Sequence, residues 1–239
     1  MQRVLMTLGL AFGLSACSSQ SGSPLFSASG YIADSGVVRL WRQDNAQQQP
    51  QVLMSVYSPY SGDNTRVTFY EYQNGILREI RRNDLGHNPQ SVELRFDEQG
   101  QVSFMQRQLA ERREQLSADN IAVYQLEAKR ILEQSSALRA GNIRLIQGQW
   151  LNGVVTTCDK KTLRLKLDDN SQAWLSKRGE GSAQPLGVAW LDSSEGQQLL
   201  LVANQDFCRK YVQRRAVTRT CRMVSSASSS PGSFRPPRA

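Results

Sequence analysis

The chain of 239 residues carries 29 Lys and Arg against 21 Asp and Glu, a formal charge of +8. It has a single histidine, His87, which excludes a metal site built from several histidines. About 190 residues lie between the N-terminal leader and a basic C-terminal tail, enough for one compact domain or two small ones.

The first sixteen residues have the order of a secretory signal peptide. Arg3 supplies the positive charge, Val4–Leu14 is mostly apolar, and the small residues Ser15 and Ala16 precede Cys17. The apolar run is shorter than the ~20 residues that a helix needs to cross a bilayer. We therefore expect a signal peptide over 1–16 that is cleaved before Cys17.

The residues Leu14-Ser15-Ala16-Cys17 resemble the bacterial lipobox, which implies a diacylglyceryl group on the thiol of Cys17. Several acyl chains would anchor stably, since each buried methylene contributes ~0.8 kcal/mol. Ser18 stands where an aspartate would favour retention in the inner membrane, so the expected location is the periplasmic face of the outer membrane. The alternative is an ordinary cleaved signal with a chance cysteine. Residues 17–29 are predicted to comprise the lipidated cysteine and a flexible tether.

Residues 30–116 have the pattern of a β-rich half. Asn74-Gly75 between two strand-like runs is a strong hairpin signal, and residues 97–101 mark a second hairpin. The predicted strands are Gly30–Ala33, Val37–Arg42, Val52–Tyr57, Arg66–Tyr72, Ile76–Arg81, Val92–Phe96 and Val102–Met105.

Residues 117–141 change to a helical period. Ser117 is a candidate N-cap and Gly141 a candidate C-cap. One face of the intervening helix, Ala118–Ala140, is apolar: Ile121, Tyr124, Ala128, Ile131, Leu132 and Leu138. We expect this helix to pack on a sheet; a partner-binding helix is the alternative.

Residues 142–210 return to strand-like runs with turns at 168–170 and 193–196. The predicted strands are Ile143–Trp150, Val154–Thr157, Thr162–Leu167, Gln172–Leu175, Leu186–Leu191 and Gln197–Asn204. The expected class is α+β and mostly antiparallel β. Its first half would be a hairpin or meander sheet and its second a small barrel or sandwich, joined by one amphipathic helix.

The basic excess belongs to the C-terminus. Residues 207–239 hold eight Lys and Arg and no acidic residue, whereas residues 17–206 are close to neutral. Residues 211–239 are predicted to be disordered. The predicted contacts with an anionic lipid or another envelope polyanion are Arg209, Lys210, Arg214, Arg215, Arg219 and Arg222. A solvated extension without a partner is the alternative. An exported protein is not expected to meet nucleic acid.

Three cysteines remain beyond Cys17. In an oxidising compartment two of them can pair. Cys158 and Cys208 both end strand-like runs, which favours a bond between them and leaves Cys221 free. Three unpaired thiols remain the alternative.

No catalytic motif stands out, and no cofactor or metal is predicted. His87 lies alone in a loop, and the cysteines lack the C-x-x-C spacing of zinc or redox sites. Asp97/Glu98 and Asp168/Asp169 are adjacent pairs whose side chains point in different directions. Asp168-Asp169-Asn170 indicates a turn first and a calcium ligand set second.

Three segments together resemble the YjaH-type lipoproteins of gammaproteobacteria, a family of unknown function: SGYIADSGVVRLWR, FDEQGQVSFMQRQL and LEQSSALRAGNIRLIQGQW. The likeness extends from about Ser29 to Arg209. It implies a lipoprotein and supplies no catalytic or binding residues.

The predicted function is a non-enzymatic envelope protein that binds or scaffolds another component. The alternatives are a hydrolase built from dispersed carboxylates and a purely structural lipoprotein. A deep cleft with converging Asp and Glu would favour the hydrolase, and flat sheet faces with an exposed apolar or basic patch would favour binding.

Overall fold

A computed structural model describes residues 25–210, apart from the side chains of Arg209 and Lys210. An eight-stranded antiparallel sheet is formed by β1 (Phe26–Ala33), β2 (Gly36–Asp44), β3 (Pro50–Pro59), β4 (Arg66–Gln73), β5 (Ile76–Asp84), β6 (Gln90–Phe96), β7 (Val102–Gln108) and β8 (Arg113–Glu114). A five-stranded sheet is formed by β9 (Arg144–Leu151), β10 (Val154–Thr157), β11 (Thr162–Leu163), β12 (Leu186–Ser193) and β13 (Gly196–Ala203). The helices are α1 (Ala118–Ala140), α2 (Asp169–Gly179) and α3 (Phe207–Lys210).

The eight strands of the first sheet pair in chain order, each with its sequence neighbour. Local turn chemistry explains this order. Asn74 and Gly75 both have positive φ, 53° and 77°, as a tight hairpin between β4 and β5 requires. The predicted meander is therefore present, and a short β8 that the sequence did not indicate extends it.

Helix α1 covers one face of the eight-stranded sheet. The Ser117 hydroxyl accepts a hydrogen bond from the Asn120 N–H at 3.2 Å, and Gly141 ends the helix. All six apolar residues predicted for its inner face join one core cluster with residues such as Leu40, Tyr70 and Leu94 of the sheet. The helix thus has the predicted bounds and packs on the core.

The five-stranded sheet packs on the opposite face of β1–β4. Trp41 and Met54 share a core cluster with Leu145 and Leu191 of the second sheet. Strand β2 is therefore buried on both sides, as its run of apolar residues requires. Strands β5–β7 have no such cover, and most of their outward positions are polar, for example Arg81 and Glu93.

Helix α2 corrects the predicted strand Gln172–Leu175. Asp168 caps this helix by accepting a hydrogen bond from the Ser171 N–H at 2.9 Å. Leu175 is its one buried side chain, and it packs with Trp150 and Trp190 on the outer side of the five-stranded sheet. Over only four residues, the alternation of polar and apolar side chains expected of a strand does not differ from the pattern of a helix with one buried residue. The prediction was wrong for this reason.

Three other features differ from the sequence-based expectation. Strand β11 covers only Thr162–Leu163 of the predicted strand Thr162–Leu167. Strand β1 begins at Phe26, within the predicted tether, because its backbone pairs with β2 as far as Gln43. The second half is an open sheet rather than a closed barrel, with β11 and β13 at its edges. The α+β class, mostly antiparallel β, is confirmed. Within the described residues no helix is long and apolar enough to cross a membrane.

Candidate functional site

A disulfide fastens the end of the folded region to the five-stranded sheet. Cys158 and Cys208 are bonded, with Cα atoms 5.2 Å apart across a sequence separation of 50 residues. The Cys158 N–H donates to the carbonyl of Gln147 in β9 at 3.0 Å, and Cys208 lies in α3. This is the pairing that the sequence favours. Cys221 and Cys17 lie outside the described residues.

Arg39 is buried between the two sheets, next to this disulfide. Its guanidinium donates to Gln147 Oε1 at 3.4 Å and to Ser58 Oγ at 3.3 Å, and it lies 4.8 Å from the ring centroid of Phe207. No carboxylate of the described residues forms an ion pair with it, and burial lowers the pKa of Arg39 to about 10. Arg39 is therefore a buried cation without a carboxylate partner. Its guanidinium stacks on the ring of Phe207, the residue before Cys208, and helps to hold α3 in place.

The stretch of chain from the end of β10 to the end of α2 carries six exposed cations and one exposed tryptophan. We call it the α2 face, and it comprises Trp174 and the exposed cations Lys160, Lys161, Arg164, Lys166, Lys177 and Arg178. Trp174 is 50% exposed, and the Arg178 Cζ lies 5.9 Å from its ring centroid. Four carboxylates share this stretch of chain: Asp159, Asp168, Asp169 and Glu180. With six cations and four carboxylates, the α2 face has a net positive charge.

The predicted anionic-surface residues begin beside this surface. Arg209 and Lys210 belong to α3, directly after the disulfide. Arg214, Arg215, Arg219 and Arg222 lie outside the described residues. The disulfide thus brings the start of the basic tail to the turn that carries Lys160 and Lys161.

His87 forms an exposed pair with an aspartate. Its Nδ1 lies 2.8 Å from Oδ2 of Asp63. This hydrogen bond raises the pKa of His87 and lowers the pKa of Asp63. No nucleophilic side chain of the described region hydrogen-bonds to His87, so the pair does not form part of a catalytic triad.

The adjacent carboxylates serve local structure. Asp97 Oδ1 accepts the N–H groups of Gln99 and Gln101 at 3.0 and 2.8 Å, which closes the β6–β7 turn. Asp168 is the N-cap of α2. Within residues 25–210 no group of three or more His, Cys, Asp or Glu side chains could hold a metal ion.

Comparison with known proteins gives a family. Residues 28–212 match the family described as "Protein of unknown function (DUF1481)". The "Uncharacterized protein YjaH" of Escherichia coli (strain K12) is 41% identical over 210 residues, which is 87% of this chain and 90% of that protein. The chain belongs to the DUF1481 family. No solved structure matches it significantly.

The resemblance predicted from three sequence segments is thereby confirmed. Membership of DUF1481 assigns no activity and no residue, so the site of this DUF1481 protein depends on its geometry alone. Sequence reasoning missed two of the residues that matter. Arg39 stands in an apolar run, VVRLWR, where both neighbours are buried, and that context is its only local signal. Trp174 was placed on a strand, so its exposed position on α2 could not be anticipated.

Proposed function

We propose that the protein is a lipid-anchored envelope protein on the periplasmic face of the outer membrane, where it binds or scaffolds another component. The proposal starts from the lipobox at Leu14–Cys17 and from Ser18 after it. Residues 18–25, eight in number, separate Cys17 from β1. A flexible segment of that length has a reach of roughly 16 Å, which would keep the folded region close to the membrane.

The observation that supports this proposal most strongly is the Cys158–Cys208 disulfide. Structural disulfides persist in oxidising compartments such as the periplasm and are rare in the cytosol. The bond links segments 50 residues apart and holds α3 against the sheet. Such a role fits a protein that folds after export.

A binding role is favoured over hydrolysis by where the carboxylates lie. Glu71, Glu79 and Glu93, on the face of the eight-stranded sheet opposite α1, are paired with Arg81 or Arg95. Two surface depressions of about 460 and 430 Å³ have no Asp or Glu in their linings. A two-carboxylate hydrolase needs converging acidic groups in a cleft, and neither depression provides them.

The predicted partner of the basic tail is an anionic surface. Near such a surface each Arg or Lys contributes ~1 kcal/mol within a Debye length of ~8 Å. The phospholipid headgroups beside the anchor, or another polyanion of the envelope, have the required charge.

Metabolic labelling tests the anchor. Cells that express the wild-type protein and a Cys17→Ser variant are fed an alkyne-labelled palmitate, and their membranes are separated by density. We expect label on the wild-type protein only, and uncut precursor or soluble product from the variant. Label on Cys17→Ser would refute lipidation at this residue.

Substitutions at the next position test the membrane. Ser18→Asp is expected to move the protein to the inner membrane, whereas the control Ser18→Ala should leave it in the outer membrane. Inner-membrane fractionation of the wild-type protein would contradict the proposed location.

A further inference from the structure

The cations of the α2 face are unpaired, unlike most of those from Arg39 to Arg144. Of the fourteen Lys and Arg residues from Arg39 to Arg144, ten form ion pairs. Among the described residues, no carboxylate pairs with any of the six cations from Lys160 to Arg178. These six charges are thus available to an external anion, whereas most of the cations from Arg39 to Arg144 neutralise carboxylates within the fold.

Trp174 adds an apolar group to the same surface. All four tryptophans lie in the described residues, and Trp41, Trp150 and Trp190 are at most 6% exposed, against 50% for Trp174. Lys177 and Arg178 follow Trp174 by three and four positions, so they share its side of α2. An aromatic ring flanked by basic side chains is typical of residues that lie at a membrane–water interface.

The disulfide extends this surface toward the basic tail. Cys158 lies two residues before Lys160, and its partner Cys208 directly precedes Arg209 and Lys210. Helix α3, which leads into the tail, is therefore bonded beside the turn that carries Lys160 and Lys161.

We propose that the α2 face docks on an anionic phospholipid bilayer, with Trp174 in the headgroup region and Lys177 and Arg178 against the phosphates. This inference rests on the proposed function in one respect: the lipid anchor would place the folded region next to a membrane. A soluble polyanion would use the same cations, but an exposed indole with Lys and Arg on its own side of a helix is the arrangement found at membrane–water interfaces. The ring at position 174 therefore favours a lipid surface as the partner.

The first test uses two matched pairs of charges. The dipeptide Lys-Arg occurs on α2 at 177–178 and on α1 at 129–130. Helix α1 lies on the far side of the eight-stranded sheet, beyond a Debye length from the α2 face. The mature chain with Cys17→Ser is mixed with phosphatidylglycerol-containing vesicles at low salt. Lys177→Gln with Arg178→Gln should weaken binding about 30-fold, from ~1 kcal/mol per charge. Lys129→Gln with Arg130→Gln should leave it nearly unchanged.

The second test uses fluorescence to locate the indole. Because the other three tryptophans are buried, a blue shift on adding anionic vesicles reports Trp174, and brominated lipids should quench the shifted signal. Trp174→Phe should remove the response while the protein still sediments with the vesicles. Neutral phosphatidylcholine vesicles should produce neither binding nor a shift.

These outcomes separate the docking from the anchor, since every protein in the assay lacks Cys17. Equal losses from the α1 and α2 pairs would overturn the proposal, because binding would then depend on overall charge. Binding without a change at Trp174 would overturn it in favour of the tail or of a soluble-polyanion site. Absence of binding to anionic vesicles would refute it while leaving lipidation at Cys17 untouched.

Discussion

Loss of the Cys158–Cys208 bond is expected to lower the free energy of unfolding by about 4 kcal/mol. The bond closes a loop across 50 residues, and the chain-entropy relation for a loop of that length gives roughly 4 kcal/mol at 25 °C. Domains of this size are stable by roughly 5–15 kcal/mol, so the loss is a large fraction of the total. The variant should remain folded without denaturant, because the contacts of Phe207 with Arg39 and Gln147 do not require the bond.

Urea unfolding followed by circular dichroism measures the effect. The background is the mature chain with Cys17→Ser and Cys221→Ser, and the test protein adds Cys158→Ser and Cys208→Ser. A reducing agent should destabilise the background protein by the same amount and leave the test protein unchanged. That comparison separates loss of the covalent bond from any effect of the serine side chains.

Two results would refute this reasoning. One is a difference below about 1 kcal/mol between the two proteins, which would show that the unfolded chain gains little freedom on opening the loop. The other comes from mass mapping of non-reduced peptides of the wild-type chain. A peptide that joins Cys208 to Cys221 would show that the bond in solution is a different one.

Substitutions at two further positions, the N-cap of α2 and the buried Arg39, are tested by the same urea assay. Asp168→Ala should lower the free energy of unfolding by about 1 kcal/mol, because the Ser171 N–H loses its acceptor, whereas Asp168→Asn should retain most of it. An equal loss of unfolding free energy in Asp168→Ala and Asp168→Asn would show that the stabilisation does not come from N-capping. Arg39→Met should change stability by less than about 1 kcal/mol, since relief of the buried charge offsets the lost stacking on Phe207. Arg39→Ala should cost about 2–4 kcal/mol through the cavity that it leaves; a similar loss from Arg39→Met would show that the guanidinium itself stabilises the junction.

The sequence by itself determined the strand order of the first sheet and the bounds of α1. In a meander each strand pairs with its chain neighbour, so short turns such as Asn74-Gly75 decide both order and register. The helix carries its own limits in Ser117 and Gly141 and its inner face in a 3.6-residue period. These signals are local, and local signals can be read from one sequence.

The tertiary structure alone decided which faces are covered and which residues meet. Arg39 and Gln147 are 108 residues apart, and no periodic pattern connects them. The predicted strand at residues 172–175 was wrong because the packing of one side chain, Leu175 against Trp150 and Trp190, is satisfied by a helix. The α2 face could not be predicted for the same reason. Whether Trp174 is buried or exposed depends on the five-stranded sheet, and the strands of that sheet lie both before and after Trp174 in the chain. Burial is a property of the assembled layers, whereas the sequence specifies directly only what neighbouring residues do.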